Sequence, residues 1–107
     1  MKHKITIPKG TKDIYYPEIK KWQYLEDQIR SYFSQFLYQE IRTPIFEHSE
    51  LFLRGIGGET EVVQKEMYTF TDKAGRSLTL RPENTAAVVR AAIDNNFFTG
   101  LFPLRFY

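Results

Sequence analysis

The sequence predicts an α+β fold, an antiparallel sheet with flanking helices. Three observations carry this. Residues 17–37 place apolar side chains at gaps of three and four, the spacing of one helical face. Residues 66–81 hold two short runs of strand-forming residues joined by turn chemistry. Residues 84–95 return to a helical spacing.

Residues 1–12 are basic and carry Pro8 and Gly10, which predicts an extended arm. Pro17 suits the start of a helix, where its missing N–H costs nothing. From there Ile19, Trp22, Leu25, Ile29, Tyr32, Phe33 and Phe36 form one stripe, with no Gly or Pro to interrupt it. Glu40–Phe46 alternates in polarity and reads as a strand, with Pro44 confining it to a sheet edge or ending it. A short helical turn is expected at Ser49–Leu53, then a loop at Gly55–Gly58. Glu66–Thr71 and Ser77–Arg81 read as a hairpin around Asp72–Arg76. In its second strand Leu78 and Leu80 face one side, and Ser77, Thr79 and Arg81 the other. The polar side is expected to be the wet face on which a site is built. Pro82 opens the second helix, with Val88, Val89, Ala92 and Ile93 as its apolar stripe. Asn95-Asn96 can end it, because Asn tolerates a left-handed cap. Leu104–Tyr107 reads as the start of another strand.

The chain has 107 residues, room for one domain or part of one. Hydrophobic residues at 42% and charged residues at 26% exclude intrinsic disorder. No apolar run reaches the roughly 20 residues that span a bilayer, and the first ten residues lack the apolar core of a secretory signal. A cytoplasmic protein with no membrane partner is expected. With no Cys, disulfides, thiolate metal sites and a cysteine nucleophile are excluded. The net charge of +2 is uneven. Residues 1–42 carry 8 basic and 5 acidic side chains, +3, leaving −1 for the remainder. A basic N-terminal part can attract RNA, and it also reads as a solvated lysine face.

Aromatic residues make up 16% of the chain. Phe97, Phe98, Phe102, Phe106 and Tyr107 crowd its end, which stops in an apolar segment. This predicts the N-terminal piece of a larger protein, or half of an obligate assembly.

Few residues point to chemistry. Gly55-Ile56-Gly57-Gly58 lacks the spacing of a dinucleotide or P-loop motif and reads as an ordinary loop. His3 and His48 have no zinc-ligand spacing, so no metal site is expected. The sharpest feature is Arg81-Pro82-Glu83-Asn84-Thr85. Acidic residues, Asn and Thr at a helix start serve as caps. The same residues can instead form a polar pocket whose carboxylate accepts an ammonium group.

At these residues the sequence resembles the start of histidyl-tRNA synthetase, a class II aminoacyl-tRNA synthetase. Gly10-Thr11-Lys12-Asp13 resembles the family's opening Gly-Thr-x-Asp. The long helix followed by Glu40-Ile41-Arg42-Thr43-Pro44 resembles motif 1, the dimer-forming helix and strand. Lys65-Glu66-Met67-Tyr68-Thr69-Phe70 and Leu78-Thr79-Leu80-Arg81-Pro82-Glu83-x-Thr85-Ala86 resemble two further family segments. Asn84 stands where the family pattern has Gly, and Leu37 replaces a glycine usual at the end of the motif 1 helix. The latter is expected to leave that helix end without its usual cap.

The resemblance implies that residues 1–107 are the N-terminal part of a class II catalytic domain, from motif 1 to the start of motif 2 at Tyr107. The rest of that domain and the anticodon-binding domain lie outside the chain. Such enzymes use ATP and magnesium to activate histidine and transfer it to tRNA, as homodimers. It assigns the histidine ammonium to Glu83 and Thr85, and the dimer interface to Trp22, Ile29, Phe33 and Pro44. The motif 2 arginine falls beyond Tyr107, so the 107-residue chain alone is expected to be inactive, with no cofactor tightly bound. Two alternatives are the regulatory subunit of ATP phosphoribosyltransferase, a paralogue on a similar fold, and a free-standing dimeric interaction module.

Overall fold

The structure, a computed structural model, describes residues 4–55, 66–100 and 104–107. The chain divides into two compact units, one running to Gln39 together with Tyr107, the other Glu40–Phe106.

The first unit is built on helix α1, Glu18–Gln35. Before it, the arm turns at Gly10, whose φ of 88° suits glycine, with Thr11 N–H bonded to Pro8 O at 3.1 Å. Pro17 is the N-cap and Lys12 pairs with Glu18 at 2.8 Å. The predicted stripe lies on one helix, as expected, yet no residue of α1 is buried.

The end of α1 corrects the sequence reading. Leu37 takes φ 62°, the left-handed conformation normally left to glycine. Its N–H bonds Ser34 O at 3.2 Å, and Tyr38 N–H bonds Phe33 O at 3.0 Å. This pair of bonds is a Schellman motif, and the helix is fully capped despite the missing glycine. The Phe33 ring also stacks on Tyr107, with centroids 4.9 Å apart.

The second unit holds a three-stranded antiparallel sheet of order β1-β3-β2, with β1 Phe46–His48, β2 Thr69–Thr71 and β3 Ser77–Leu80. The strand expected at Glu40–Phe46 is displaced. Residues 40–44 carry no strand, and the ladder begins at Phe46, beyond Pro44, which has no N–H to give it. Helix α2, Ser49–Gly55, follows at once and extends the expected turn. Of the expected glycine loop, residues 56–58 lie outside the described residues, as does His3.

The hairpin forms as expected, although β2 starts only at Thr69. Its turn is held by one carboxylate. Asp72 Oδ1 accepts the N–H groups of Ala74 (2.9 Å) and Arg76 (2.8 Å), and Oδ2 accepts Arg76 Nε at 2.7 Å. Gly75 completes the turn at φ 84°. The backbone N–H of Arg76, ahead of its guanidinium, holds the Asp72 carboxyl below its usual range.

Strand register sorts the two faces. Glu47, Thr79 and Thr69 are cross-strand neighbours on one side; His48, Leu78 and Phe70 are neighbours on the other. The expected wet face is in fact the closed one at its centre. Thr79 is completely buried and Ser49, at the start of α2, is buried beside it. Hydroxyls satisfy one another here. Thr69 Oγ1 lies 2.9 Å from Thr79 Oγ1, which donates to Ser49 Oγ at 2.7 Å, itself 2.7 Å from Ser77 Oγ. Satisfied polar groups are buried without the penalty of a lost hydrogen bond. On the opposite side Phe46, Phe70 and Leu80 remain 43%, 42% and 40% exposed.

Helix α3, Thr85–Asp94, begins three residues later than Pro82. Its buried residues are Ala87, Ala91 and Ala92, while Val89 and Ile93 of the expected stripe are exposed. Small residues allow α3 to approach α2, whose Phe52 is the large side chain of the core. Asn95 ends α3 by donating its side-chain amide to Ala91 O at 2.9 Å, and Asn96 takes the left-handed conformation expected of it. A 3₁₀ turn follows at Phe97–Thr99. No strand forms at 104–107. Among the described residues no helix is long and apolar enough to cross a membrane.

Candidate functional site

The end of β3 and the start of α3 form one wall of a surface groove of about 530 Å³. Arg81, Pro82, Glu83 and Asn84 line that wall, and Ile41, Arg42 and Thr43 line the other.

Glu83 sits just before α3, exposed, with its carboxylate folded back over the helix start. Thr85 N–H donates to Oε2 at 2.5 Å and Ala86 N–H to Oε1 at 3.1 Å. Asn84 holds the N-cap position, but its side chain makes no cap bond. Glu83 thus answers the orphan N–H groups of the helix terminus. A carboxylate offers about four lone-pair sites, more than these two N–H groups require. Thr85, the first residue of α3, is exposed beside it.

Sequence reasoning missed the other half of the groove. Thr43 Oγ1 donates to Asn84 Oδ1 at 2.6 Å. Arg81 Nη1 donates to Thr43 O at 3.0 Å and to Thr43 Oγ1 at 3.2 Å. Asn84, at φ −115°, has no need of a glycine conformation, and its side chain ties the two walls together. Both arginines of the groove are engaged, Arg42 with Glu40 at 3.4 Å and Arg81 with Thr43. The signal in sequence was the departure at position 84 itself.

The other residues singled out from sequence lie elsewhere. Trp22, Ile29 and Phe33 lie on α1, the first two exposed and Phe33 half-buried. Pro44 is exposed ahead of β1, and His48 is exposed on it. Among the described residues no three His, Asp or Glu side chains converge as a metal site would require.

Residues 10–107 match the sequence profile of the histidyl-tRNA synthetase family. The chain belongs to that family. Histidyl-tRNA synthetase relatives match most of it. The histidine–tRNA ligase of Pelotomaculum thermopropionicum is 56% identical over 102 residues, 95% of this chain and 24% of that protein. The ligase of Anoxybacillus flavithermus is 61% identical over 92 residues, 86% of this chain and 22% of that protein. Among solved structures, apo histidyl-tRNA synthetase from S. aureus superposes with a TM-score of 0.80 at 44% identity, over 96% of this chain and 24% of that one. A Bacillus halodurans protein described as an ATP phosphoribosyltransferase regulatory subunit/histidyl-tRNA synthetase shares the fold, with a TM-score of 0.75 at 23% identity. The chain spans about a quarter of the length of the curated synthetases it matches.

Proposed function

We propose that this chain is the N-terminal part of the catalytic domain of a cytoplasmic histidine–tRNA ligase, and that its groove holds the α-ammonium group of histidine. The observation that carries the reading is the fixed Glu83 carboxylate. Two backbone N–H groups orient it at the groove wall, leaving lone pairs for a charged donor. The Thr85 hydroxyl adds a second acceptor. An ammonium held there directs the carboxylate of the amino acid outward, which is catalysis by positioning. The proposed co-substrates of the longer enzyme are ATP with magnesium, and tRNA. The proposed contribution of this segment is to hold histidine, and the 107-residue chain alone is expected to show no histidine-dependent pyrophosphate exchange.

The test is Glu83→Ala in the longer enzyme. A hydrogen bond to a charged group is worth about 1.5–3 kcal/mol, so kcat/KM for histidine should fall roughly tenfold to a few hundredfold. Thr85→Val should cost less, because a neutral hydrogen bond is worth about 0.5–1.5 kcal/mol. Unchanged histidine kinetics in Glu83→Ala would leave Glu83 as a helix cap and nothing more.

The reading includes a homodimer, with α1 and the segment ending at Pro44 as the interface. What supports it is the apolar stripe of α1, where Trp22 is 45% and Leu25 52% exposed. Light scattering at micromolar concentration should show twice the 12.7 kDa chain mass. A well-behaved monomer would sink this part of the proposal.

A further inference from the structure

Glu47 is a charged residue placed where charge is costly. It lies on β1, only 6% exposed, opposite the fully buried Thr79. Its partner is Arg90 of α3, whose Nε donates to both carboxylate oxygens, at 3.0 Å to Oε1 and 2.5 Å to Oε2. Arg90 Nη1 continues to Asp94 Oδ2 at 2.9 Å. Donating these hydrogen bonds to Glu47 also raises the Arg90 pKa.

Arg90 stands five residues after Thr85, at a rise of roughly 7.5 Å along the helix. The N–H groups of Thr85 and Ala86 fix the Glu83 carboxylate. A second tie acts at the helix start, where Thr43 bonds Asn84. Thr43 and Glu47 are four residues apart in one stretch of chain, so that stretch grips α3 at its beginning and at its middle. Added to the packing of its buried alanines, these two ties constrain both the turn and the tilt of α3.

We propose that Glu47 and Arg90 are positioning residues for histidine recognition, setting the rotation of α3 and through it the direction of the Glu83 carboxylate. The inference rests on the histidine reading of the groove. It assigns the pair a task beyond stability, which is useful because buried ion pairs are often replaceable by apolar residues without loss of stability.

That property supplies the experiment. In the longer enzyme, the double variant Glu47→Leu/Arg90→Met removes both charges together and is expected to keep its melting temperature. Its KM for histidine in pyrophosphate exchange should rise about tenfold, since small misplacement of a binding group is costly. Its KM for ATP should stay within about twofold, because the proposed effect acts through the Glu83 carboxylate alone. Arg90→Lys keeps the charge but not the planar fork, and should raise the histidine KM in the same direction. It decides the question if the double variant does not fold. Glu83→Ala is run alongside. If Glu83→Ala raises the histidine KM and the folded double variant does not, the positioning role is overturned while the groove reading stands. If Glu83→Ala leaves it unchanged, the groove reading fails and takes this inference with it. A parallel rise in both KM values would also overturn it, as the mark of a generally loosened fold.

Discussion

Phe33 and Tyr38 meet across the end of α1 with ring centroids 5.0 Å apart. They are also joined by the wider-spanning of the two Schellman hydrogen bonds, so the ring contact and the backbone bond reinforce each other. Together they hold Leu37 in a left-handed conformation that its side chain disfavours.

Leu37→Gly should therefore stabilise the protein. The relief of left-handed strain is about 1–2 kcal/mol, offset in part by the greater freedom of glycine in the unfolded chain. A net gain of about 0.5–1 kcal/mol is expected in urea unfolding. Leu37→Val should lose stability, because a β-branched side chain tolerates positive φ least.

Asp72 makes the hairpin acid-sensitive. Its folded pKa lies below the ordinary 3.8. The stabilisation is complete above that ordinary value and is lost as pH falls through the folded one. Urea midpoints measured from about pH 5 to about pH 2 should decline, and Asp72→Asn should flatten that part of the decline.

Glu83→Gln separates capping from recognition. The amide oxygen still accepts one backbone N–H, and the lost charge at a helix N-terminus costs about 0.3–1 kcal/mol. Histidine recognition should suffer more, by about 1.5–3 kcal/mol, because the ammonium loses its counter-charge. Melting temperature and histidine KM of the longer enzyme are the two readouts. A KM change no larger than the stability change would contradict the ammonium role.

The α2–α3 contact depends on small side chains. Ala91→Leu should destabilise by about 1–3 kcal/mol through overpacking. Val89→Thr, on the exposed side of the same helix, should stay within about 0.5 kcal/mol. Equal effects would show that the wrong face of α3 had been taken as its inner one.

Much of the architecture was readable from periodicity and turn chemistry. The α1 stripe, the Asp72–Arg76 turn and the end of α3 at Asn95-Asn96 all follow from local rules. The failures have a common origin. Of the stripe Val88, Val89, Ala92 and Ile93 expected on α3, Ala92 is buried, but Val89 and Ile93 are exposed and close helix approach selected Ala87 and Ala91 instead. Alternation in β3 marked Thr79 as wet, but partners on β2 and α2 closed over it. Within the site, Glu83 and Thr85 were legible because they sit together in sequence. The tie from Thr43 to Asn84 spans 41 residues and that from Glu47 to Arg90 spans 43. Polar pairs at that separation leave no periodic trace.

The row of hydroxyls at the closed sheet face has a direction from Thr69 to Ser49. Each carries a single proton, and Thr79 donates its own to Ser49. Thr79 must then accept from Thr69, so these two protons point the same way along the row, while the Ser49–Ser77 bond can be donated from either side. The four positions are consequently unequal. Removing the Thr69 hydroxyl takes away only the first donor and leaves every later bond intact. Removing that of Thr79 takes the acceptor from Thr69 and cuts the row in two, so β2 loses its link to the start of α2 through a single missing oxygen.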